Sequence, residues 1–336
     1  MEDNIIIRVE NLKKWFPVRR SFIDTLMGRP QKFIKAVDGI SFDIRKAEIF
    51  CLAGESGCGK TTTGKVIHRL LRATSGRVLF KGVDIMSLEG EKLKGYRRKA
   101  AIIFQDPYES LNPRMTALDI ISEPLVVHKL VHTEDEKIEA VSKALEDVAL
   151  KPPEDFIFRF PHELSGGQRQ RVSIARALVT NPEFIVADEP VSMLDMSIRA
   201  EILNLLLSLR DKYNLSFLFI THDLAVAKYI CDRIAIMYLG KIVEMGDAEE
   251  VIDNPLHPYT KALISAVPVP DPRIKIGEIP IKGEVPSPIN IPPGCRFHPR
   301  CVVCEKNEKL ASLCKSKEPK MVEVKKGHFV ACHLYS

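Results

Sequence analysis

The sequence predicts an α/β fold on a parallel sheet, with a helical insertion and a small cysteine-bearing tail. Three observations carry this expectation. The apolar runs Glu48–Ala53, Glu183–Ala187 and Ser216–Thr221 have the length of strands buried on both faces. Helix-period stretches alternate with them, the one from about Ile198 to Lys212 joining the last two runs. After about Pro255 prolines crowd the chain, at 255, 258, 268, 270, 272, 280, 286, 288, 292 and 293, and no long periodic segment follows.

Residues 4–10 alternate as a strand and Ala36–Ile44 read as the next. Between them, residues 17–35 form an insertion centred on Gly28-Arg29-Pro30, read as an exposed hairpin or loop. The run Glu48–Ala53 enters Gly54 directly, and a helix starts at Lys60. From Asp106 to about Leu164 the chain turns mainly helical, with helix periods over Asp119–Val131 and Glu134–Ala149 before Lys151-Pro152-Pro153 breaks the pattern. Ser165 opens another helix. This organisation divides the chain into a domain over 1–256, with a helical subdomain at about 106–164, and a tail domain over 257–336.

With 49 cationic against 44 anionic residues the net charge is +5, a mixed solvated surface that requires no nucleic-acid partner. Apolar runs such as Phe184–Ala187 or Leu205–Leu207 fall far short of the roughly 18 residues of a membrane span. Met1-Glu2-Asp3-Asn4 lacks the basic flank and apolar core of a signal peptide, so the expectation is a cytosolic chain, held at a membrane only by partners. Of eight cysteines, Cys51, Cys58 and Cys231 are scattered, while Cys295, Cys301, Cys304, Cys314 and Cys332 crowd the tail. In a reducing compartment such a cluster more often ligates metal than forms disulfides.

Gly54-Glu-Ser-Gly-Cys-Gly-Lys-Thr61 satisfies G-x-x-x-x-G-K-[ST] between a strand and a helix. The glycines let successive N–H groups of Gly54, Ser56, Gly57, Cys58, Gly59, Lys60, Thr61 and Thr62 turn toward one anion at a helix N-terminus. Lys60 is placed to reach β- and γ-phosphates, and Thr61 to give Mg²⁺ an oxygen. Phe184-Ile-Val-Ala-Asp188-Glu189 supplies the complement: a buried strand delivers Asp188 to the metal, and Glu189 follows to hold an attacking water. The expected cofactors are ATP and Mg²⁺.

Leu164-Ser165-Gly166-Gly167-Gln168, followed by Arg169-Gln-Arg-Val-Ser-Ile-Ala-Arg-Ala177, resembles the signature of the ABC ATPases. Ser165 caps a helix whose glycines admit an anion, a second phosphate-binding end that is surplus within one chain. The resemblance implies a P-loop NTPase fold of the ABC kind, with an antiparallel β subdomain and an α-helical subdomain. It also implies two subunits arranged head to tail with ATP between them. Gln105, in Ile103-Phe-Gln-Asp-Pro107, matches the family's Q-loop glutamine, a Mg²⁺ contact and sensor of the membrane partner; Ser192-Met-Leu-Asp195 resembles the D-loop; His222 matches the switch histidine at the γ-phosphate. On this basis Glu189, His222, Lys60 and Gln105 carry the catalysis and Thr61, Gln105 and Asp188 the magnesium. Trp15 and Phe16 both qualify as the aromatic that stacks on adenine, and family spacing favours Phe16.

Phe104-Gln-Asp-Pro-Tyr-Glu-Ser-Leu-Asn-Pro-Arg-Met115, His257-Pro-Tyr-Thr-Lys-Ala-Leu263 and Gly294-Cys-Arg-Phe-His-Pro-Arg-Cys301 resemble the dipeptide/oligopeptide importer ATPases, the arginine-bearing form looking like the second of two paralogues. This implies a heterodimer with a paralogous ATPase on two transmembrane permeases, at the cytoplasmic face of the membrane, with a solute-binding protein delivering the cargo. Cys295, Cys301, Cys314 and Cys332 match a family pattern that in some members carries a [4Fe–4S] cluster, with Cys304 as rival ligand and Zn²⁺ as alternative metal. Oligosaccharide cargo is the nearest alternative. A nucleic-acid-linked ABC ATPase is more distant, since no coiled-coil insertion or second cassette is present.

Overall fold

A computed structural model describes residues 4–20, 28, 30–266, 281–305 and 307–336. Residues 21–27 and 29 of the 17–35 insertion, and prolines 268, 270, 272 and 280, lie outside the described residues.

Strands β1 (Ile5–Pro17), β2 (Phe33–Arg45) and β3 (Ile49–Ala53) precede helix α1 (Lys60–Ile67), then β4 (Ser75–Phe80), β5 (Val83–Asp84), α2 (Gly90–Lys99) and β6 (Ala100–Ile103). Helices α3 (Pro107–Ser110), α4 (Ala117–Val127), α5 (Glu134–Asp147) and α6 (Gly166–Leu178) come next. The α/β alternation resumes with β7 (Phe184–Asp188), α7 (Met196–Tyr213), β8 (Ser216–Thr221), α8 (Leu224–Ile230), β9 (Arg233–Tyr238), β10 (Lys241–Asp247), α9 (Ala248–Asp253) and α10 (Pro258–Ser265). The tail adds α11 (Val302–Glu305), α12 (Glu308–Ser316), β11 (Val322–Lys325) and β12 (His328–Val330).

The chain divides into two compact units, one of Met1–Ile7, Ile44–Ile49 and Leu79–Ile220, the other of Arg8–Asp43, Phe50–Val78 and Thr221–Ser336. In the first, β8, β7 and β6 run parallel in that order, in the register Asp188↔Ile220 and Ile103↔Ala187. Every residue of β7 and β8 is buried, as a parallel strand covered on both faces requires. Helices α4, α5 and α6 pack on one another through Ile120, Ile121, Leu125, Val141, Leu145, Val172 and Ile174. Capping boxes start all three, Thr116 with Asp119, Thr133 with Glu136 and Ser165 with Gln168, pairing each helix's early N–H groups with local side chains.

In the second unit, strands run in the order β11, β12, β10, β9, β3. The pair β3–β9 is parallel, with Phe50↔Arg233, and the pairs from β9 to β11 are antiparallel. The tail therefore differs from the loop-rich module its prolines suggest: β12 pairs with β10, Glu244 opposite Val330, and β11 extends the ribbon. His328, in β12, meets the fully buried Glu244 carboxylate through Nε2 at 2.8 Å, and the same carboxylate accepts the N–H groups of Leu256 and His257. One buried acid thus anchors both the strand and the start of α10.

Thr133→Ala deletes the hydroxyl that accepts the Glu136 N–H at 3.2 Å. The expected cost is about 1 kcal/mol, checked as a lower urea midpoint at unchanged slope.

Candidate active site

The candidate phosphate loop, Gly54–Thr61, lies in the second unit. Gly54, Gly57 and Gly59 all have φ in the left-handed half of backbone space, at 147°, 78° and 112°. A Cβ on Gly54 would stand 2.3 Å from the Met237 carbonyl oxygen, and one on Gly59 2.1 Å from that of Ala36, so neither position admits a side chain. Ser56 and Gly57 are exposed at the tip of the loop, while Cys58 and Lys60 are buried beneath it. Lys60 Nζ donates to the carbonyls of Gly54 at 2.7 Å and Glu55 at 3.1 Å and lies 3.8 Å from Cys58 Sγ. Burial pushes the Cys58 thiol up despite the opposing charge of Lys60, so it stays protonated at neutral pH and serves as filling. Thr61 and Thr62 head α1, and Thr63 is tied back to Gly59 at 3.0 Å.

The acidic half lies in the first unit. Asp188 closes β7, 3% exposed, and Glu189 follows at φ 47°, a left-handed value that a non-glycine residue rarely adopts. Its N–H donates to Ile220 O at 2.9 Å, and its carbonyl accepts the N–H and the hydroxyl of Ser192, at 3.2 and 3.0 Å. Gln105 Nε2 donates to Glu189 Oε2 at 3.1 Å, so the structure joins two of the four residues expected to carry catalysis. Asp195 is exposed at the head of α7.

Ser165 is exposed and caps α6. The Gln168 N–H donates to its hydroxyl at 3.3 Å, and the Ser165 N–H donates to Gln168 Oε1 at 3.0 Å, a complete capping box. A Cβ on Gly167 would meet Ile198 Cγ2 at 2.7 Å; on Gly166 it would meet nothing nearer than 3.8 Å. His222 is exposed in the second unit, just past β8, and the next residue, Asp223, caps α8 through the N–H groups of Ala225 and Val226.

Trp15 and Phe16 point to opposite faces of β1. The Trp15 indole donates to Asp38 at 3.0 Å and carries Lys35 over its ring at 4.6 Å, whereas Phe16, half-buried, has Lys14 4.8 Å from its centroid. Trp15 is thus committed to a structural contact, and Phe16 is the freer ring of the two.

Thr61, Gln105 and Asp188 offer the hard oxygen donors that Mg²⁺ takes, which fits the expected ion. The cysteine tail is a different case. Cys295, Cys301, Cys304, Cys314 and Cys332 all line one tight apolar pocket with His257, Phe297 and Leu334, so the rival ligand sits beside the four preferred ones. Yet among the described residues no group of three or more His, Cys, Asp or Glu side chains is disposed to hold a metal ion. Four of the sulfurs, those of Cys295, Cys301, Cys304 and Cys314, hydrogen-bond among themselves. Cys314 hydrogen-bonds Cys295, which together with His257 draws the Cys295 thiol down to about 4, while burial pushes Cys301 and Cys332 up to about 11. For the iron–sulfur expectation and its zinc alternative, the donor chemistry is assembled in one place among the described residues, and convergent ligand geometry is not.

Three residues at this site carry no recognisable motif of their own. Arg300 and Tyr259 both bind Glu55 of the phosphate loop, and Asp38 fixes Trp15. Tyr259 and Arg300 lie within stretches singled out in the sequence, though neither carries a site role there.

Comparison with known proteins places this geometry. Residues 37–192 match the family model of the ABC transporter, and residues 243–307 that of the oligopeptide/dipeptide transporter C-terminal region. The oligopeptide transport ATP-binding protein AppF of Bacillus subtilis (strain 168) is 49% identical over 334 residues, 98% of each chain. The probable peptide ABC transporter ATP-binding protein y4tS of Sinorhizobium fredii is 44% identical, over 98% of this chain and 90% of its own. Among solved structures, the dimeric post-hydrolysis state of the ATP-binding cassette MJ0796 bound to ADP and Pi aligns with a TM-score of 0.62 at 29% identity, over 72% of this chain and 98% of that one. Identity of this extent, from end to end of both chains, is kinship and not a shared fold alone: the chain belongs to the ABC transporter ATP-binding family and is an ABC-type ATPase.

Proposed function

We propose that this chain hydrolyses ATP to energise the import of di- or oligopeptides through a membrane transporter. The observation that carries the reading is the double match: an ABC cassette followed by an oligopeptide/dipeptide transporter C-terminal region, in one chain alignable end to end with AppF. The direction of transport draws on relatives such as the putative peptide import ATP-binding protein BMEII0864 of Brucella melitensis, 47% identical over 89% of this chain and 92% of its own. In this reading the cassette occupies 1–256 and the C-terminal module 257–336. Among the described residues no helix is long and apolar enough to cross a membrane. The subunit then works peripherally, at the cytoplasmic face, against two permease subunits, beside a paralogous ATPase and fed by a solute-binding protein.

Each residue role follows from chemistry at its position. The amides from Gly54 to Thr62 cradle phosphate oxygens, and Lys60 adds a point charge once phosphate replaces the loop carbonyls as its partner. Thr61, Gln105 and Asp188 would hold Mg²⁺ bound with the nucleotide, which would supply positive charge against the phosphates. Glu189 holds the attacking water, and the Gln105 amide, donating to its carboxylate at 3.1 Å, helps orient the group. His222 contacts the γ-phosphate, and Phe16 stacks on adenine. Ser165, Gly166, Gly167 and Gln168 close the nucleotide of the opposing subunit, with Asp195 at the same junction. The five-cysteine pocket is proposed as a thiolate site for a [4Fe–4S] cluster, or for Zn²⁺, away from the chemistry; the support is the gathering of five sulfurs in one pocket.

Glu189→Gln is expected to keep ATP binding and lower turnover at least about a hundredfold, leaving an ATP-stabilised dimer visible by size-exclusion chromatography; Lys60→Ala is expected to lose nucleotide binding itself. Wild-type turnover in Glu189→Gln removes the carboxylate from this role. Anaerobically purified protein is expected to contain iron and acid-labile sulfide, measured by elemental and colorimetric assay. Zinc without sulfide assigns the pocket to the alternative metal, and absence of both removes the metal reading.

A further inference from the structure

The segment Cys295–Cys301 carries two arginines that reach other parts of the second unit. Arg296, 9% exposed, donates to the Leu239 carbonyl and pairs with Asp38, whose other oxygen accepts the Trp15 indole. Burial alone raises the Asp38 carboxyl, but the guanidinium outweighs it and holds the group ionised, below its ordinary range. Arg296 therefore pins the segment to strands β1 and β2.

Arg300, 6% exposed, reaches the phosphate loop. Its Nη1 and Nη2 grip the Glu55 carboxylate in a fork, at 2.7 and 3.1 Å. The Glu55 N–H donates to Tyr259 Oη at 2.9 Å, and its carbonyl accepts Lys60 Nζ at 3.1 Å. All three polar parts of one loop residue are thus committed, two of them to the C-terminal region. The holding side is itself rigid. Tyr238, Tyr259 and Phe297 are each at most 1% exposed, with ring centroids 4.7, 5.3 and 5.4 Å apart, and the Arg300 guanidinium lies 5.8 Å from the Tyr238 centroid.

A loop with three glycines in left-handed conformation loses much backbone freedom when it orders. A clamp that orders it in advance strengthens binding without touching the bond that breaks. We propose that Arg300 and Tyr259 are positioning residues for nucleotide binding: through Glu55, the C-terminal region holds the phosphate loop in its anion-cradling form. This rests on reading Gly54–Thr61 as the phosphate loop.

The test is a double-mutant cycle on the full chain, read as the dissociation constant of ATP by fluorescent-nucleotide displacement, with KM and kcat in parallel. Arg300→Gln and Glu55→Gln are each expected to weaken ATP binding about tenfold, the double variant no further than the weaker single, with KM rising and kcat within about twofold. Arg300→Lys, which keeps the charge without the fork, is expected to recover part of the loss. Tyr259→Phe, which removes one oxygen from a buried ring, carries the test if Arg300→Gln does not fold, and is expected to weaken ATP in the same sense. Wild-type affinity in Tyr259→Phe or Arg300→Gln, or losses that multiply in the double variant, overturns the clamp. Lys60→Ala, run alongside, separates the two readings: retention of ATP there sinks the phosphate-loop assignment itself.

Discussion

A phosphate cradle made of backbone N–H groups needs a loop with no side chains on its packed wall. That constraint organises the second unit. Met237 O stands behind Gly54 and Ala36 O behind Gly59, each closer than any Cβ could tolerate. The loop is therefore wrapped against backbone from β9 and β2, and its curvature is decided by those strands as much as by its own composition. The parallel pairing Ala53↔Ile236 then delivers the chain into Gly54 at a fixed height, and α1 begins at Lys60 with its N-terminus at the cradle.

In the first unit a different device serves the chemistry. Asp188 is the last residue of a strand whose every member is buried, so its height is set by register with Ile220. Glu189 must then leave the sheet at once, and it does so at φ 47°, immediately before Pro190. The residue before a proline ordinarily favours extended backbone, so this is a sparsely populated conformation held by its surroundings. The Ile220 carbonyl takes its N–H and Ser192 takes its carbonyl. The strain aims the carboxylate at Gln105 instead of continuing along the strand.

How much of this was legible in the sequence depended on the range of the interaction. Strands β3, β7 and β8 are unbroken apolar runs, a local signal readable within a residue; the helix-period stretches begin within two residues of α4 and α5, but the first extends to Val131 and the helix ends at Val127. Strand β1 runs to Pro17 and not to residue 10, because Asn11, at φ 47°, and two lysines interrupt the alternation without ending the strand. The tail looked loop-rich because β11 and β12 are only four and three residues long and draw their order from β10, far back in the chain. The pairs Glu55–Arg300 and Asp38–Arg296 join residues 245 and 258 positions apart, and nothing local marks them. The cysteine spacing, likewise, could not choose among ligands that all reach one pocket.

The two glycines after Ser165 separate internal from external reasons for a residue. Gly167 is favoured by packing, since a Cβ there would stand 2.7 Å from Ile198 Cγ2, so that a side chain would have to shift. Gly166 has φ on the ordinary side and at least 3.8 Å of clearance, so neither strain nor crowding within the chain calls for a glycine there. The capping box engages the N–H groups of Ser165 and Gln168; the intervening amides, at the first two helical positions, have no acceptor inside the helix. A bare helix start at an exposed serine suits close approach by an anion from outside the chain. In the proposed function this end of α6 meets a nucleotide held by a second subunit, and the clearance at Gly166 supports that reading.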